Sequence, residues 1–283
     1  MSYVSPLRDM RFVLHELFDV AGHCELLGNG LDRALVDGVL EEGARYAAEV
    51  VAPLNRNSDE EGVILEQGRV TTPTGFRKAY RQYCESGWAS MTGPIEHGGQ
   101  GLPQMVACNF HEMLMRDSRI TQLYEGTNGI QALDLIRRKL MGDDGAELAT
   151  LQDELAAIAD GQCDREELAE LAGAVLARLQ EWRTLSATVL DRVRENPEEI
   201  GACSVDFLQY SAYVLLAGLW LKAAACAQSA LEAGSGDADF YQAKLHSVRF
   251  YVRRVLPRAS SHREALLGGV ECLMALPEAH FAF

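Results

Sequence analysis

The sequence YEGTNGIQALDLIRRKL, from Tyr124 to Leu140, decides how this chain is organised. After its first few residues, apolar side chains recur at helical spacing, at Ile130, Leu133, Ile136 and Leu140. This spacing predicts an amphipathic helix. Thr127 or Asn128 can cap it, because a Thr or Asn side-chain oxygen accepts hydrogen bonds from the first amides of a helix.

An acidic side chain, Glu125, precedes this predicted helix start. The start of a helix is partly positive, so it can bind an anionic cofactor group and hold a carboxylate at its mouth. Gly126 and Gly129 have no side chain and let a ligand approach the backbone. An ordinary helix entry, in which Glu125 only complements the helix dipole, explains the same residues without a ligand.

A second glycine-rich stretch, EHGGQGLP, runs from Glu96 to Pro103. Its three glycines, Gly98, Gly99 and Gly101, fall within four positions. They could expose backbone amides to an anion. A tight connection between two helices explains them equally without any ligand.

Composition excludes some classes of function. With 48% hydrophobic and 24% charged residues the chain resembles an ordinary soluble globular protein, and its formal charge of -15 argues against nucleic-acid binding. Seven cysteines without a Cys-x-x-Cys pair indicate reduced thiols and a cytoplasmic protein. The histidines show no metal-ligand spacing, so no metal site is expected.

No membrane span is expected either. The most apolar run, residues 212–221, ends at Lys222 and is shorter than a bilayer requires. We interpret it as part of a buried core helix. The first residues lack the apolar run of a signal peptide.

The chain as a whole predicts an all-α fold. Helices are predicted over residues 7–18, 32–54, 74–85 and 105–115, and then over 164–194, 204–233, 240–256 and 262–276. One β-hairpin near residues 63–72, turning at Gln67-Gly68, is the only strand signal. The short connections after residue 143 predict an antiparallel helix bundle, preceded by a separate N-terminal helical layer.

Periodicity also predicts the buried faces. The first helix buries Met10, Val13, Leu14 and Leu17, and the second ends near Pro53-Leu54-Asn55. Thr74 caps the third helix, whose inward stripe is Phe76, Ala79, Tyr80 and Tyr83. The helix over residues 164–194 buries Leu168, Leu171, Val175, Leu179, Trp182, Val189 and Val193.

Three stretches carry a family resemblance. Residues 120–140, ITQLYEGTNGIQALDLIRRKL, resemble the active-site segment of the acyl-CoA dehydrogenases, in particular of the methylmercaptopropionyl-CoA dehydrogenase-like branch. Residues 98–102 resemble the Gly-Gly-x-Gly-Leu loop of the same enzymes, and residues 6–103 resemble their N-terminal helical domain. The resemblance implies an N-terminal domain over 1–115, a catalytic-motif segment over 116–142 and a C-terminal helical bundle over 143–283.

This resemblance implies an acyl-CoA substrate, an FAD cofactor and roles for individual residues. Glu125 corresponds to the base that removes the α-proton, and Gly126 lies against the thioester. Thr127, Asn128 and Gly129 correspond to residues that line the FAD. Gly98 and Gly99 belong to a loop near the acyl pocket and are expected to contact the substrate.

The chain departs from the family between residues 115 and 120. Family members carry there a β-domain that packs on the flavin ring, followed by several helices, and this sequence has neither. The resemblance therefore implies α,β-dehydrogenation of a CoA thioester, and the departure implies the alternative, a truncated and catalytically inactive helical scaffold or oligomerisation module. Either would form a homo-oligomer or associate with an intact family member.

Overall fold

The computed structural model describes residues 4–28, 30–116, 127–234, 236–277 and 280. They form two compact units, one before residue 117 and one from Thr127 onward, which are described separately. The predicted all-α fold is confirmed. Within the described ranges, the one sheet is a hairpin of two antiparallel strands.

The described residues of the first unit form six α-helices and the hairpin. Its helices are α1 (Leu7–Arg11), α2 (Val20–Leu26), α3 (Arg33–Tyr46), α4 (Ala52–Glu61), α5 (Phe76–Glu85) and α6 (Gln104–Arg116). The strands are β1 (Ile64–Glu66) and β2 (Arg69–Thr71). Helix α3 begins as predicted near Asp32, whose carboxylate accepts a hydrogen bond of 2.8 Å from the Leu35 amide.

A wider helical turn corrects the predicted face of the first helix. A π-helical segment, Phe12–Leu17, follows α1 directly, so the side chains no longer repeat every 3.6 residues. Phe12 and Leu14 are buried at 1% and 2% exposure, whereas Val13 is 37% exposed. The prediction that Val13 lies inward was therefore wrong, and Phe12 takes its place in the core.

The second predicted helix does not end at Pro53. A π-helical segment, Ala47–Val51, joins α3 to α4, and Pro53 lies in the first turn of α4. A proline is tolerated there because the amide it lacks has no intrahelical acceptor. The chain stays helical until Gly62, whose φ of 68° ends α4.

The hairpin is confirmed, with Leu65 paired to Val70 across the strands. Gln67 and Gly68 both have positive φ, at 49° and 74°, as a two-residue type I′ turn requires. Every strand residue is exposed, including Leu65 at 69% and Val70 at 65%.

The predicted cap of α5 is wrong. Gly75, with φ of 95°, is the cap residue, and Thr74 instead binds Glu61 of α4. The Thr74 hydroxyl donates to Glu61 Oε1 at 2.7 Å and its amide donates to Oε2 at 2.9 Å. Of the predicted inward stripe only Ala79 is fully buried, and Tyr80 is 69% exposed.

The described part of the second unit is a bundle of seven α-helices. They are α7 (Asn128–Asp134), α8 (Ala146–Asp160), α9 (Ala169–Glu195), α10 (Glu199–Glu232), α11 (Ala238–Phe250), α12 (Ala259–Leu267) and α13 (Glu271–Met274). Helix α7 continues as a π-helical segment, Leu135–Leu140. Helix α11 continues through a π-helical segment, Tyr251–Val255, into a short 3₁₀ turn, Leu256–Arg258.

Helix α10 is the centre of this bundle and contacts α7, α8, α9, α11 and α12. The predicted stripe on α9 is confirmed, since each of its seven residues is at most 3% exposed. Gly218 of α10 allows close packing, because a Cβ there would lie 2.7 Å from Leu155 Cδ2 of α8. Helices α8, α9 and α10 therefore form a tightly packed core.

Helix α10 is also longer and more apolar than the run that marked it in the sequence. Its 34 residues meet the length and hydropathy of a membrane-crossing helix, although 39% of the apolar window is buried within the protein. Phe207, Tyr210, Val214 and Leu221 are fully buried among neighbouring helices. A core helix meets the same test, and this packing favours that interpretation.

Candidate functional site

The predicted site residues fall in three places. Glu125 and Gly126 lie outside the described residues. Thr127, Asn128 and Gly129 lie together at the start of α7, in the second unit. Gly98 and Gly99 lie in the loop before α6, in the first unit.

Thr127 is the cap residue of α7, but its side chain does not cap the helix. Its backbone is left-handed, with φ of 54° and ψ of 40°, whereas side-chain capping uses an extended backbone. Its carbonyl oxygen accepts the Gln131 amide at 3.0 Å. The predicted side-chain cap was therefore wrong, and Asn128 is already the first helical residue.

The first turn of α7 is exposed, and its second half is anchored. Ala132, Ile136 and Leu140 are buried at 0%, 0% and 1% exposure. Ile130 is 64% exposed, although the apolar spacing placed it on the buried face. Ala132 and the π-helical segment after α7 thus hold the helix against the core, and the first turn of α7 faces solvent.

This exposed turn is open to the edge of a ligand. The amides of Asn128, Gly129 and Ile130 have no acceptor inside the helix, because the first amides of a helix have none. A Cβ at Gly129 would meet no atom within 4 Å, so the space over its Cα is open. Polar groups of a ligand can reach these amides, but the described residues provide no sheet that could enclose a flavin ring.

The glycine-rich loop before α6 has no free amides. The amides of Gly98 and Gly99 donate to the carbonyls of Ile95 and Pro94, at 3.0 and 2.9 Å. The next three amides are bonded as well, from Gln100 to Ser90, Gly101 to Gly93 and Leu102 to Met91, at 3.0, 2.9 and 2.8 Å. This loop is a tight connection, as the second of the two sequence interpretations proposed, and its amides do not form an anion cradle.

Gly99 is required by the close approach of two backbones. A Cβ at Gly99 would lie 2.0 Å from the Gly93 carbonyl oxygen and 2.2 Å from the Gly93 carbonyl carbon. Gly98 and Gly101 have positive φ, at 81° and 64°. Any contact of this loop with a substrate must therefore use carbonyl oxygens or side chains, because the amides are occupied.

A surface cavity of about 500 Å³ lies beside this loop. Gln100 and Leu102 line it together with two aromatic side chains, Tyr46 and Trp88. The Trp88 ring stacks on Phe110 of α6, with the ring centroids 4.1 Å apart. Sequence analysis missed this cavity because its wall comes from α3, the segment before the loop and the loop itself, which share no sequence pattern.

The electrostatics of the cavity disfavour phosphate. Its rim carries Glu41, Glu42 and Glu49, with Arg45 as the one cationic residue of the described lining. Arg45 is already ion-paired with Glu42. Burial raises the pKa of the Tyr46 hydroxyl, so this side chain is neutral at physiological pH. The cavity therefore suits an uncharged, apolar group.

Comparison with known proteins gives the chain its relatives. Residues 149–277 match the family described as "Acetyl-CoA dehydrogenase C-terminal like". The 3-methylmercaptopropionyl-CoA dehydrogenase of Ruegeria pomeroyi is 39% identical over 116 residues, which cover 40% of this chain and 20% of that protein. The broad-specificity linear acyl-CoA dehydrogenase FadE5 of Mycobacterium tuberculosis is 29% identical over 206 residues, 70% of this chain and 33% of that protein.

A butyryl-CoA dehydrogenase of Syntrophomonas wolfei is 28% identical over 217 residues, covering 72% of this chain and 33% of that protein. The chain thus spans from 20% to 33% of the length of these relatives. The family match lies within the second unit. Residues 149–277 are therefore an acyl-CoA dehydrogenase C-terminal-like domain, and the chain as a whole is similar to acyl-CoA dehydrogenases.

Proposed function

We propose that this chain takes part in the α,β-dehydrogenation of a CoA thioester, with Glu125 as the base. The observation that carries the proposal is the Tyr-Glu-Gly-Thr motif of residues 124–127, placed directly before the exposed first turn of α7. The family match of residues 149–277 supports it, as do the names of the relatives, all of which are acyl-CoA dehydrogenases.

Glu125 and Gly126 of the motif each have a chemical role in this proposal. The Glu125 carboxylate acts as a general base and removes the proton from the α-carbon. The backbone amide of Glu125 donates to the thioester carbonyl, which increases the acidity of the α-proton, and Gly126 leaves room for the thioester. Gly98 and Gly99 shape the loop on the substrate side.

FAD is the proposed cofactor. Thr127, Asn128 and Gly129 would hold it at the start of α7, where the open space over Gly129 leaves room for a ligand edge. When bound, FAD accepts the hydride that leaves the substrate β-carbon. Such chemistry needs the reacting atoms to be fixed and shielded from water, so we propose that a second copy of the chain or an intact family member completes the enclosure.

A specific observation favours the alternative, a non-catalytic scaffold. The residues described contain two three-residue strands and nothing else that could form the β-domain of the family. Apolar side chains are also exposed on the second unit, among them Val205, Leu216 and Phe250 at 47%, 45% and 63%. In this alternative these surfaces pack on an intact family member, and Glu125 abstracts no proton.

A visible absorption titration separates the two functions. The purified chain is titrated with FAD, alone and mixed with an intact relative, and the perturbation of the flavin bands is followed. The catalytic proposal predicts saturable FAD binding that Gly129→Leu abolishes, because a leucine fills the open space over α7. Gly201→Leu is the matched control, since a Cβ at Gly201 of α10 also meets no atom within 4 Å.

Unchanged flavin bands in both samples would rule out the catalytic role and leave the scaffold. Co-elution of the chain with an intact relative, without any FAD binding that depends on Gly129, is the result that the scaffold predicts. FAD binding that is equal in the Gly129→Leu and Gly201→Leu variants would show that the cofactor lies elsewhere.

A further inference from the structure

A cleft of about 370 Å³ opens on the second unit, on the side of α9 that faces the segment after α11. Its apolar lining consists of Ala174 and Ala177 of α9 with Val252, Leu256 and Pro257. Val252 and Leu256 are only 8% and 3% exposed, so the floor is closed by core side chains. Arg178 and Glu181 form the polar part of the lining.

Arg178 and Glu181 belong to an ion-pair cluster that also includes Arg263, which lies outside the lining of the cleft. Glu181 Oε2 accepts from Arg178 Nη1 at 2.6 Å, and Glu181 Oε1 accepts from Arg263 Nε at 2.7 Å. The Tyr210 hydroxyl also donates to Glu181 Oε2, at 2.5 Å. Both oxygens of the carboxylate are thus engaged, and the cluster keeps one positive charge in excess.

Arg178 keeps unused hydrogen-bond donors at the cleft. A guanidinium has five N–H donors. Nη1 donates to Glu181, Nη2 donates to the Ser260 hydroxyl at 2.9 Å, and the Tyr210 hydroxyl is a further hydrogen-bonding neighbour of the group. These partners occupy at most three of the five donors. The Arg178 side chain is 27% exposed, so a ligand would bind it in surroundings that are partly shielded from water.

The electrostatic surroundings favour an anion. The chain carries a formal charge of -15, yet residues 249–263 contain five arginines and no Asp or Glu. Two of these arginines, Arg254 and Arg258, are exposed and have no ion-pair partner in the described part of the chain. This segment includes the Val252–Pro257 side of the cleft, so Arg254 and Arg258 add positive charge on that side of it.

We propose that this cleft binds a small monocarboxylate, with the carboxylate on the free N–H groups of Arg178 and a short aliphatic chain on Ala174, Ala177, Val252 and Leu256. An anion recruited by charge alone would need no apolar floor, and an apolar ligand would need no guanidinium. The volume lies at the low end for ligand cavities and is ample for a chain of a few carbon atoms. The site lies wholly within the second unit and does not depend on FAD or on Glu125.

The test uses the full chain with sodium butyrate as the probe and ligand-observed NMR titration as the readout. The expected dissociation constant is on the order of 1 mM for so small a ligand. Butyramide has the same size without the charge, and it should bind at least about tenfold more weakly because a charge-assisted hydrogen bond is lost. Raising the ionic strength should weaken butyrate binding.

Two alanines of α9 provide a matched pair of variants. Ala177→Leu fills the cleft and should abolish saturable butyrate binding, whereas Ala187→Leu, at an exposed position of α9 outside the cleft, should leave it unchanged. Arg178→Lys keeps the charge but removes the guanidinium fork, and it should weaken binding severalfold. Circular dichroism verifies that each variant is folded.

Absence of saturable butyrate binding would overturn the proposal. Equal affinity for butyrate and butyramide would overturn it as well, since recognition would then not involve the carboxylate. Binding that survives both Ala177→Leu and Arg178→Lys would place the ligand elsewhere on the protein.

Discussion

Replacing Gly99 by alanine should open the loop before α6. The added Cβ would lie 2.0 Å from the Gly93 carbonyl oxygen and 2.6 Å from Gly93 Cα, and both of these atoms belong to the backbone. Neither can rotate away, so one of the two chain segments must move by about 1 Å or more to restore ordinary contact. That movement breaks the hydrogen bond from the Gly101 amide to the Gly93 carbonyl, now 2.9 Å long.

The size of the effect follows from these contacts. Overpacking costs about 1–3 kcal/mol, and each lost hydrogen bond costs about 0.5–1.5 kcal/mol. The loop should therefore lose about 2–4 kcal/mol of local stability, which corresponds to roughly 30- to 1,000-fold faster amide exchange where exchange follows local opening.

Hydrogen–deuterium exchange with mass spectrometry measures this directly on peptides that contain residues 98–102. Gly38→Ala is the matched control, because a Cβ at Gly38 of α3 meets no atom within 4 Å and alanine favours a helix. Peptides from α9 and α10 report whether the second unit is unaffected. Exchange of the wild-type loop at the rate of an unstructured peptide, or unchanged exchange in the Gly99→Ala variant, would refute the packing described for this loop.

Three further predictions concern stability. Leu155→Ala should leave a cavity against Gly218 of α10 and lower the free energy of unfolding in urea by about 2–5 kcal/mol. Leu216→Ala, at a position already 45% exposed, should lower it far less. Equal losses in the two variants would contradict the assigned core. Burial alone would raise the pKa of Glu181, but hydrogen bonds from Tyr210 and Arg178 outweigh it and the pKa is lowered. The charged carboxylate therefore stabilises the fold at pH values above 4.5, the ordinary pKa of a glutamate side chain. The difference in unfolding free energy between wild type and Glu181→Gln should shrink as the pH falls below 4.5. A difference that stays constant with pH would contradict the assigned ion pairs. Gly68 has a φ of 74°, which costs alanine more than glycine, so Gly68→Ala should destabilise the hairpin by about 1 kcal/mol. The measurement is amide exchange in residues 64–71, which should become faster. Unchanged exchange would contradict the type I′ turn.

Long regular helices were predictable from the sequence because their buried faces repeat without interruption. Helix α9 is the clearest case, since its seven predicted inward residues are all buried over a helix of 27 residues. The hairpin was predictable for a different reason, because Gln67-Gly68 is a turn signal between two β-branched runs.

The errors lie where a π-helical segment changes the periodicity. Val13 and Ile130 were placed inward by 3.6-residue spacing, but each lies on a helix that contains or leads into a π-helical segment. The sequence analysis predicted a helix end at Pro53 because proline has no backbone N–H to donate. In the structure Pro53 follows a π-helical segment and lies in the first turn of α4, where that N–H is not needed. No sequence pattern predicts a π-helical segment, because its formation depends on packing against other helices.

The candidate site was only partly predictable. The motif of residues 124–131 points to a chemistry through resemblance, and the loop at Gly98 and Gly99 was recognised from its glycines. The acidic rim and aromatic wall of the cavity beside that loop come from separate segments, which only the fold brings together. The cleft near Arg178 was missed for the same reason, because its lining residues are up to 83 residues apart in the sequence, from Ala174 to Pro257.

The central claim is that Glu125 removes a proton from a CoA thioester while FAD bound at α7 accepts the hydride. Its most direct test is anaerobic addition of a short-chain acyl-CoA to the purified chain loaded with FAD, with the loss of visible flavin absorbance as the readout. We predict bleaching with the wild-type chain and with Glu147→Gln, an exposed glutamate on α8, and none with Glu125→Gln. Equal bleaching by the Glu125→Gln variant, or none by the wild-type chain, would contradict the claim.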